Sequence, residues 1–213
     1  MRREAKIRSL GLIDYEPTWR AMQDFTAGRD AATPDELWVL QHPPVYTLGV
    51  AGKSEHLPRV ENGIPVVRSD RGGQITYHGP GQLIVYLLLD MRRRGLSLRP
   101  LVRMMGQAVI DSLAAYGVAA LGRDAAPGVY VGNAKIAALG LRIRNGCCYH
   151  GLALNVDMDL SPFDAINPCG YPGLEVTQTR DLGIAEALDA LSGKLVRHLL
   201  LRLNANGTTD EHR

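Results

Sequence analysis

Apolar and polar positions along the first third of the chain predict strands and one helix in alternation. Lys6 to Tyr15 reads as a strand. From Pro17 to Arg29, Trp19, Met22 and Phe25 recur at helical spacing, and Pro17 suits a first helical turn. Leu37 to Leu40 is a short apolar strand that Pro43-Pro44 breaks, Val45 to Val50 resumes extended structure, and Ile64 to Val67 is another β-prone run. Between Gln74 and Asp90 two extended pieces are hinged at Gly79-Pro80-Gly81, where glycine freedom and the fixed φ of proline dictate a turn.

Further along, Ser97 stands where it would cap an amphipathic helix. Leu98, Leu101, Val102, Met105, Val109, Leu113 and Tyr116 recur at three and four, and Gly117 fits the stop. Gly132-Asn133 and Asn145-Gly146 are hairpin signals that delimit three strands, Gly128 to Val131, Lys135 to Arg144 and Cys148 to Val156. After a loop around residues 161 to 173, Ile184 to Leu203 reads as a second long helix. Asn204 to Arg213 reads as a polar tail. Helices with mostly hairpin-linked strands make a mixed α+β or α/β domain, without the βαβ repetition of a doubly wound fold. One domain, residues 1 to 203, is expected, since no Pro/Gly/Ser-rich spacer divides the 213 residues.

Composition narrows the class more than the function. Apolar residues at 46% and charged residues at 22% suit a globular chain and exclude a disordered or fibrous one. The formal charge of +2 gives no field that would pull the protein onto nucleic acid or a membrane surface. The longest apolar run, Leu83 to Leu89, is far short of the roughly 20 residues of a membrane helix and reads as a buried strand. The first fifteen residues lack an apolar signal core, and three cysteines, two of them adjacent, make no disulfide framework. A reducing cytoplasm is the expected compartment, and neither C-x-x-C nor a histidine cluster suggests a metal. Arg92, Arg93, Arg94, Arg99 and Arg103 form a local basic run, either a solvated helix start or a docking surface for an acidic protein.

Three segments carry candidate chemistry. Arg71-Gly72-Gly73-Gln74-Ile75-Thr76-Tyr77-His78 runs into Gly79-Pro80-Gly81-Gln82, and its glycines would let backbone N–H groups approach a ligand; its spacing matches neither a phosphate loop nor a dinucleotide fingerprint. Cys169, between Pro168 and Gly170, sits in a constrained loop, although a lone cysteine is often a small buried hydrophobe. A reactive cysteine needs a cationic or hydrogen-bonding neighbour, and Lys135, His78 and His150 are the candidates. Lys135 borders the apolar run Ile136 to Leu141. It either snorkels to solvent or, if buried, requires an anionic partner such as a thiolate.

Four of these runs together, Arg71 to Gln82, Asn133 to Ile143, His150-Gly151-Leu152-Ala153-Leu154-Asn155-Val156 and Ile166-Asn167-Pro168-Cys169-Gly170-Tyr171, resemble the octanoyltransferases of lipoate biosynthesis, in order and over about residues 5 to 203. The resemblance implies the catalytic fold shared by lipoate and biotin protein ligases. It implies transfer of an octanoyl group from acyl carrier protein to a lysine of lipoyl domains, those of 2-oxoacid dehydrogenases and the glycine cleavage H protein, by a monomer without a cofactor. On the family pattern Cys169 carries the acyl thioester and Lys135 is its partner, while Arg71 to His78, Ala138-Leu139-Gly140 and Gly151-Leu152-Ala153 line the substrate site. Either Lys135 or His78 would take the proton of the attacking amine. Cys147 and Cys148 have no role in that pattern. Burying about seven carbons at roughly 0.8 kcal/mol each would anchor the chain by on the order of 5 to 6 kcal/mol, so rejecting longer chains needs a closed tunnel end.

Three other readings make different demands. An ATP-dependent ligase on the same fold needs no cysteine nucleophile. A Cys-His hydrolase would use His78 or His150 as base and water as acceptor. A binding module would tolerate loss of Cys169.

Overall fold

In a computed structural model, residues 4–123, 126–167 and 173–205 are described. The chain starts with β1 (Lys6–Leu12), α1 (Tyr15–Ala27), β2 (Glu36–Gln41), β3 (Val45–Leu48), β4 (Val66–Arg68), β5 (Ile75–His78) and β6 (Gln82–Asp90). It continues through α2 (Met91–Arg94), α3 (Leu98–Ala114), β7 (Leu121–Gly122), β8 (Gly128–Val131), β9 (Ala134–Arg144), β10 (Cys147–Asn155) and α4 (Leu188–Ala205). The expected mixed architecture is what forms. Among the described residues one sheet has the order β1-β2-β6-β10-β9-β8-β7, antiparallel except for the parallel β1–β2 pair. A smaller sheet has the order β4-β3-β5, with β3 and β4 parallel.

The hinge at Gly79-Pro80-Gly81 joins strands of different sheets, so it turns a corner and does not close a hairpin. Gly81 has φ 85°, and a Cβ there would lie 1.8 Å from the Asp157 carbonyl oxygen, so only glycine fits. At the other signals Asn145 and Gly146 both take positive φ, 52° and 78°, the conformation a two-residue hairpin between twisted strands demands.

Side-chain alternation divides the large sheet into two faces. Leu83, Val85, Leu87 and Leu89 of β6, with Cys148, Leu152 and Leu154 of β10, face α3 and α4 in the main core. Ile84, Tyr86 and Leu88, with Tyr149 and Ala153, pack on the α1 side against Met22, where Trp19 and Phe25 also sit. The helical spacing of those three α1 residues is thus a buried face. The small sheet has its own core of Tyr46, Leu48, Ile75 and Tyr77 with Phe163 and Ile166.

Several boundaries differ from expectation. The first strand stops at Leu12, and α1 begins at Tyr15 with Asp14 at its N-cap position but without a side-chain cap hydrogen bond. Ser97 holds the N-cap of α3 without a side-chain cap hydrogen bond. The last helix starts at Leu188, after a 3-10 turn at Arg180–Leu182 that Gly183 closes at φ 81°, and it runs to Ala205.

The arginine run is corrected more deeply. Neither a solvated helix start nor a docking face describes Arg93 and Arg94. Arg94 is buried and binds Asp35, and Arg93 reaches the same carboxylate at 2.7 Å and the Thr33 carbonyl at 3.0 Å. Arg29 completes the set at 2.5 Å from Asp35, and the Asp90 N–H donates to Asp35 at 2.8 Å. Burial alone would raise the Asp35 carboxyl, but the Asp90 N–H and the guanidinium groups of Arg94 and Arg93 hold it below the usual carboxylate range. This cluster ties the segment before β2 to α2.

Candidate active site

A cavity of about 800 Å³, counting its open mouth, lies on the α1 side of the large sheet. Its walls include Ile84 and Tyr86 of β6, Ala138 and Gly140 of β9, and Gly151, Ala153 and Asn155 of β10. Arg71 to Thr76 and His78 line it from the segment that leads into the small sheet. Of the sequence-level candidates, Arg71, Gly72, Gly73, Gln74, Ile75, Thr76, His78, Lys135, Ala138, Leu139, Gly140, Gly151, Leu152 and Ala153 come together here. Tyr77 does not. Its ring packs against Tyr46 at 5.6 Å and edge-on to Phe163 at 5.5 Å, inside the core of the small sheet. Cys169 falls outside the described residues. On either side of its segment, Phe163 and Val176 line the cavity.

Lys135 reaches the cavity through a break in strand alternation. Ala138 and Gly140 pair with Ala153 and Gly151, on the cavity face. Regular alternation would therefore send Lys135 to the core, with Leu139 and Leu141. A bulge between Val129 and Tyr130 pairs them with Ala137 and Lys135, which leaves Ile136 as the extra residue in the main core and turns Lys135 to the cavity. The strand end is held by residues 175–177: the Lys135 N–H donates to the Glu175 carbonyl at 2.8 Å, and the Thr177 N–H to the Lys135 carbonyl at 2.9 Å. The side chain is buried, donates from Nζ to the Pro127 carbonyl at 3.2 Å, and lies 5.8 Å from the Tyr130 ring centre. A Cβ on Gly128 would stand 2.5 Å from Lys135 Cε, so glycine there keeps the lysine's path open.

Arg71 shapes the wall of the cavity. Its Nε donates to Thr47 Oγ1 at 2.9 Å, and its terminal nitrogens reach the carbonyls of Thr47, Gly72 and Gln74 at 2.5, 2.9 and 2.8 Å. Gly72 N–H donates to the Leu141 carbonyl at 3.0 Å, which fastens the Arg-Gly-Gly segment to β9. A Cβ on Gly140 would meet the Gly72 oxygen at 3.1 Å, so the two backbones approach as closely as glycine permits.

His78 is neutral and occupied at both ring nitrogens. Gln82 Oε1 can only accept, so His78 Nδ1–H donates to it at 2.7 Å, and Thr47 Oγ1 donates to Nε2 at 3.3 Å. Gln82 in turn donates to Asn155 Oδ1 at 2.9 Å. Burial, with His42 nearby, pushes the His78 pKa down to about 3. His42 donates to the Ile13 carbonyl and accepts from Tyr86, and burial lowers it to about 4. A histidine in this state is a fixed hydrogen-bonding wall and a poor proton acceptor at neutral pH.

Asp70 was not legible in sequence. It precedes Arg71 and accepts from four side chains: Trp19 Nε1 at 2.8 Å, Gln23 Nε2 at 3.1 Å, His150 Nε2 at 2.9 Å and the Tyr149 hydroxyl. Burial alone would raise its carboxyl, but His150, Tyr149, Gln23 and Trp19 together hold it far below the usual range. His150 takes φ 63° in the middle of β10, rare for a residue with a Cβ. Regular alternation would place it in the core with Cys148 and Leu152. The left-handed backbone swings it to the opposite face, onto Asp70 and Tyr86. Its ring lines the cavity and is buried, its Nδ1 has no hydrogen-bond partner among the described residues, and burial lowers its pKa against the opposing pull of Asp70. A non-glycine positive φ inside a strand, with a carboxylate beside it, marks stored strain at a site.

Among the described residues no group of three or more His, Cys, Asp or Glu could hold a metal ion, and no helix is long and apolar enough to cross a membrane. Cys148 is buried in the main core, where desolvation pushes its thiol up to about 12.

Residues 14–196 match the lipoyl protein ligase A/B catalytic domain family. The chain is similar to an octanoyltransferase of Dechloromonas aromatica (strain RCB), 62% identical over 93% of this chain and 96% of that protein. Its fold is that of a lipoate-protein ligase A solved with bound ATP (TM-score 0.75, 19% identity, 95% of this chain and 86% of that one). The biotin protein ligase of Aquifex aeolicus shares it more distantly (TM-score 0.58, 11% identity, 98% and 73%).

Proposed function

The chain belongs to the lipoyl protein ligase A/B catalytic domain family, as an acyltransferase among its octanoyltransferases, and on that premise we propose that it moves an octanoyl group from acyl carrier protein to a lysine of lipoyl domains through a thioester on Cys169. The observation that carries this reading is Lys135: a buried ammonium turned by a bulge into a mainly apolar cavity, on which Phe163 and Val176 close from either side of the Cys169 segment. An ammonium in that setting favours an anion beside it, and a thiolate is the anion the chemistry requires.

In the first step the Cys169 thiolate attacks the thioester carbonyl carbon of the donor. The C–S bond to the carrier arm breaks, and its leaving thiolate takes a proton from Lys135. One thioester replaces another, so no ATP is consumed. In the second step the acceptor lysine amine attacks the acyl-enzyme, gives its proton to the now neutral Lys135, and releases the Cys169 thiolate as the amide forms. The second proton acceptor is Lys135 and not His78, whose two nitrogens are already engaged.

Arg71 to Thr76, His78, Ala138 to Gly140 and Gly151 to Ala153 hold the acyl chain in this reading, with Tyr77 supporting them from behind. The acceptors are lipoyl domains such as those of 2-oxoacid dehydrogenases and the glycine cleavage H protein, and the enzyme works as a cytoplasmic monomer. Transfer measured with octanoyl carrier protein and a lipoyl domain should proceed without ATP. Robust product from free octanoate and ATP, with none from the carrier thioester, would overturn the reading in favour of an adenylating ligase.

A further inference from the structure

A second groove opens on the other side of the wall that holds Lys135. Its lining on α3 falls in two rows, Leu98, Val102, Gly106 and Ile110 beside Arg99, Arg103 and Gln107. Residues four apart on a helix share a face, so one row is apolar and the other basic and polar, along about 18 Å of axis. The opposite bank carries Gly122 and Arg123, and Arg123 is fixed there by hydrogen bonds to the Gly132 carbonyl at 3.0 Å and Asn133 Oδ1 at 3.2 Å. None of the described lining residues is acidic. Asp124, next in sequence, lies outside the described residues, and counting it still leaves three arginines against one aspartate.

Pro127 and Leu139 belong to this groove and to the catalytic cavity alike, and Gly128 lines the groove beside them. Pro127 is the residue whose carbonyl holds Lys135 Nζ, and Gly128, without a side chain, lets Lys135 Cε pack 2.5 Å from where a Cβ would stand. Leu98 is 45% exposed at the outer end, an apolar surface without cover. The groove therefore runs from a basic, partly apolar surface to the far side of the wall that holds the proposed acid–base group.

We infer that this groove receives the acyl donor, with the phosphopantetheine arm of an acidic carrier protein lying along α3, its phosphodiester and the carrier's carboxylates facing Arg99, Arg103 and Arg123. This rests on the thioester-donor reading above. The match is one of chemistry. The arm carries one phosphodiester, which suits the arginines, and a chain of methylenes and amides, which suits the Val102 and Ile110 row. Exposed charges of this kind act mainly on encounter and are screened by salt.

The test is the double variant Arg99→Glu/Arg103→Glu in the full-length enzyme, assayed with octanoyl carrier protein and with octanoyl-N-acetylcysteamine, a thioester lacking phosphate and carrier. The expected result is a rise of about tenfold or more in KM for the carrier donor, larger at low salt, with the rate from the small thioester and the KM for the lipoyl-domain acceptor unchanged. An unchanged carrier KM, a rise in acceptor KM instead, or equal loss with both donors would each overturn the assignment. Absence of transfer from either thioester in the unmodified enzyme would sink the thioester reading itself, a separate outcome.

Discussion

Two carboxylates in this fold, buried Asp35 and half-buried Asp70, keep contrasting company. Asp35 is surrounded by charge, with Arg29, Arg93 and Arg94 all on one carboxyl, and lies away from the cavity. Asp70 is held by neutral donors, two from α1 and two from β10, and is followed at once by the Arg71-Gly72-Gly73 wall of the cavity. Both carboxyls titrate below their ordinary range. The difference teaches where a paired carboxylate exerts its effect: Asp35 fastens secondary structure, whereas Asp70 fixes a cavity-lining segment and the strained His150.

The sharpest way to break that comparison is Asp35→Asn. It leaves the buried guanidinium groups of Arg29 and Arg94 without their carboxylate, which should cost on the order of 3–5 kcal/mol in denaturant unfolding. The folded fraction should keep its kcat and KM. Impaired kinetics in that fraction would show that the two regions are not separate.

The second effect is one of pH. His42 and His78 are neutral in the fold with pKa values lowered to about 4 and about 3, so the unfolded chain binds their protons first as pH falls below roughly 6.5. Their contribution is complete above that value and declines towards their folded values. Each should cost roughly 2 kcal/mol at pH 5. The depressed carboxyls act later: their stabilisation is present above roughly pH 4 and lost as pH falls further. A stability curve flat from pH 7 to 5 would contradict the buried, neutral histidine wall.

The smallest effect belongs to Asp70→Asn. Losing charge-assisted acceptance should cost about 1.5–3 kcal/mol of stability. Its signature is kinetic: KM for the octanoyl donor should rise, because the segment from Arg71 to Thr76 loses its anchor to α1 and β10. A variant that loses stability but keeps the donor KM would make Asp70 a second Asp35.

How much of this was readable in sequence follows from the same physics. The strands around Gly132-Asn133 and Asn145-Gly146 were legible within a residue, because turn chemistry is local. The segment from Arg71 to Gln82 announced itself through glycines that a close backbone approach requires. What escaped was long-range or against the pattern. Asp70 lies 47 residues from Gln23 and 80 from His150, with no periodicity to link them. The arginines after Asp90 looked like surface because their partner, Asp35, is 58 and 59 positions away. Lys135 and His150 face the cavity only because a bulge and a left-handed residue defeat alternation, and a period-two reading sends both side chains to the core.

The central claim, an acyl group carried on Cys169 and managed by Lys135, is tested most directly by intact-mass measurement of the enzyme after incubation with octanoyl carrier protein and no acceptor. The account predicts one octanoyl adduct, absent in Cys169→Ser and discharged when a lipoyl domain is added. An adduct that persists in Cys169→Ser, or transfer that proceeds at full rate in that variant, would contradict it.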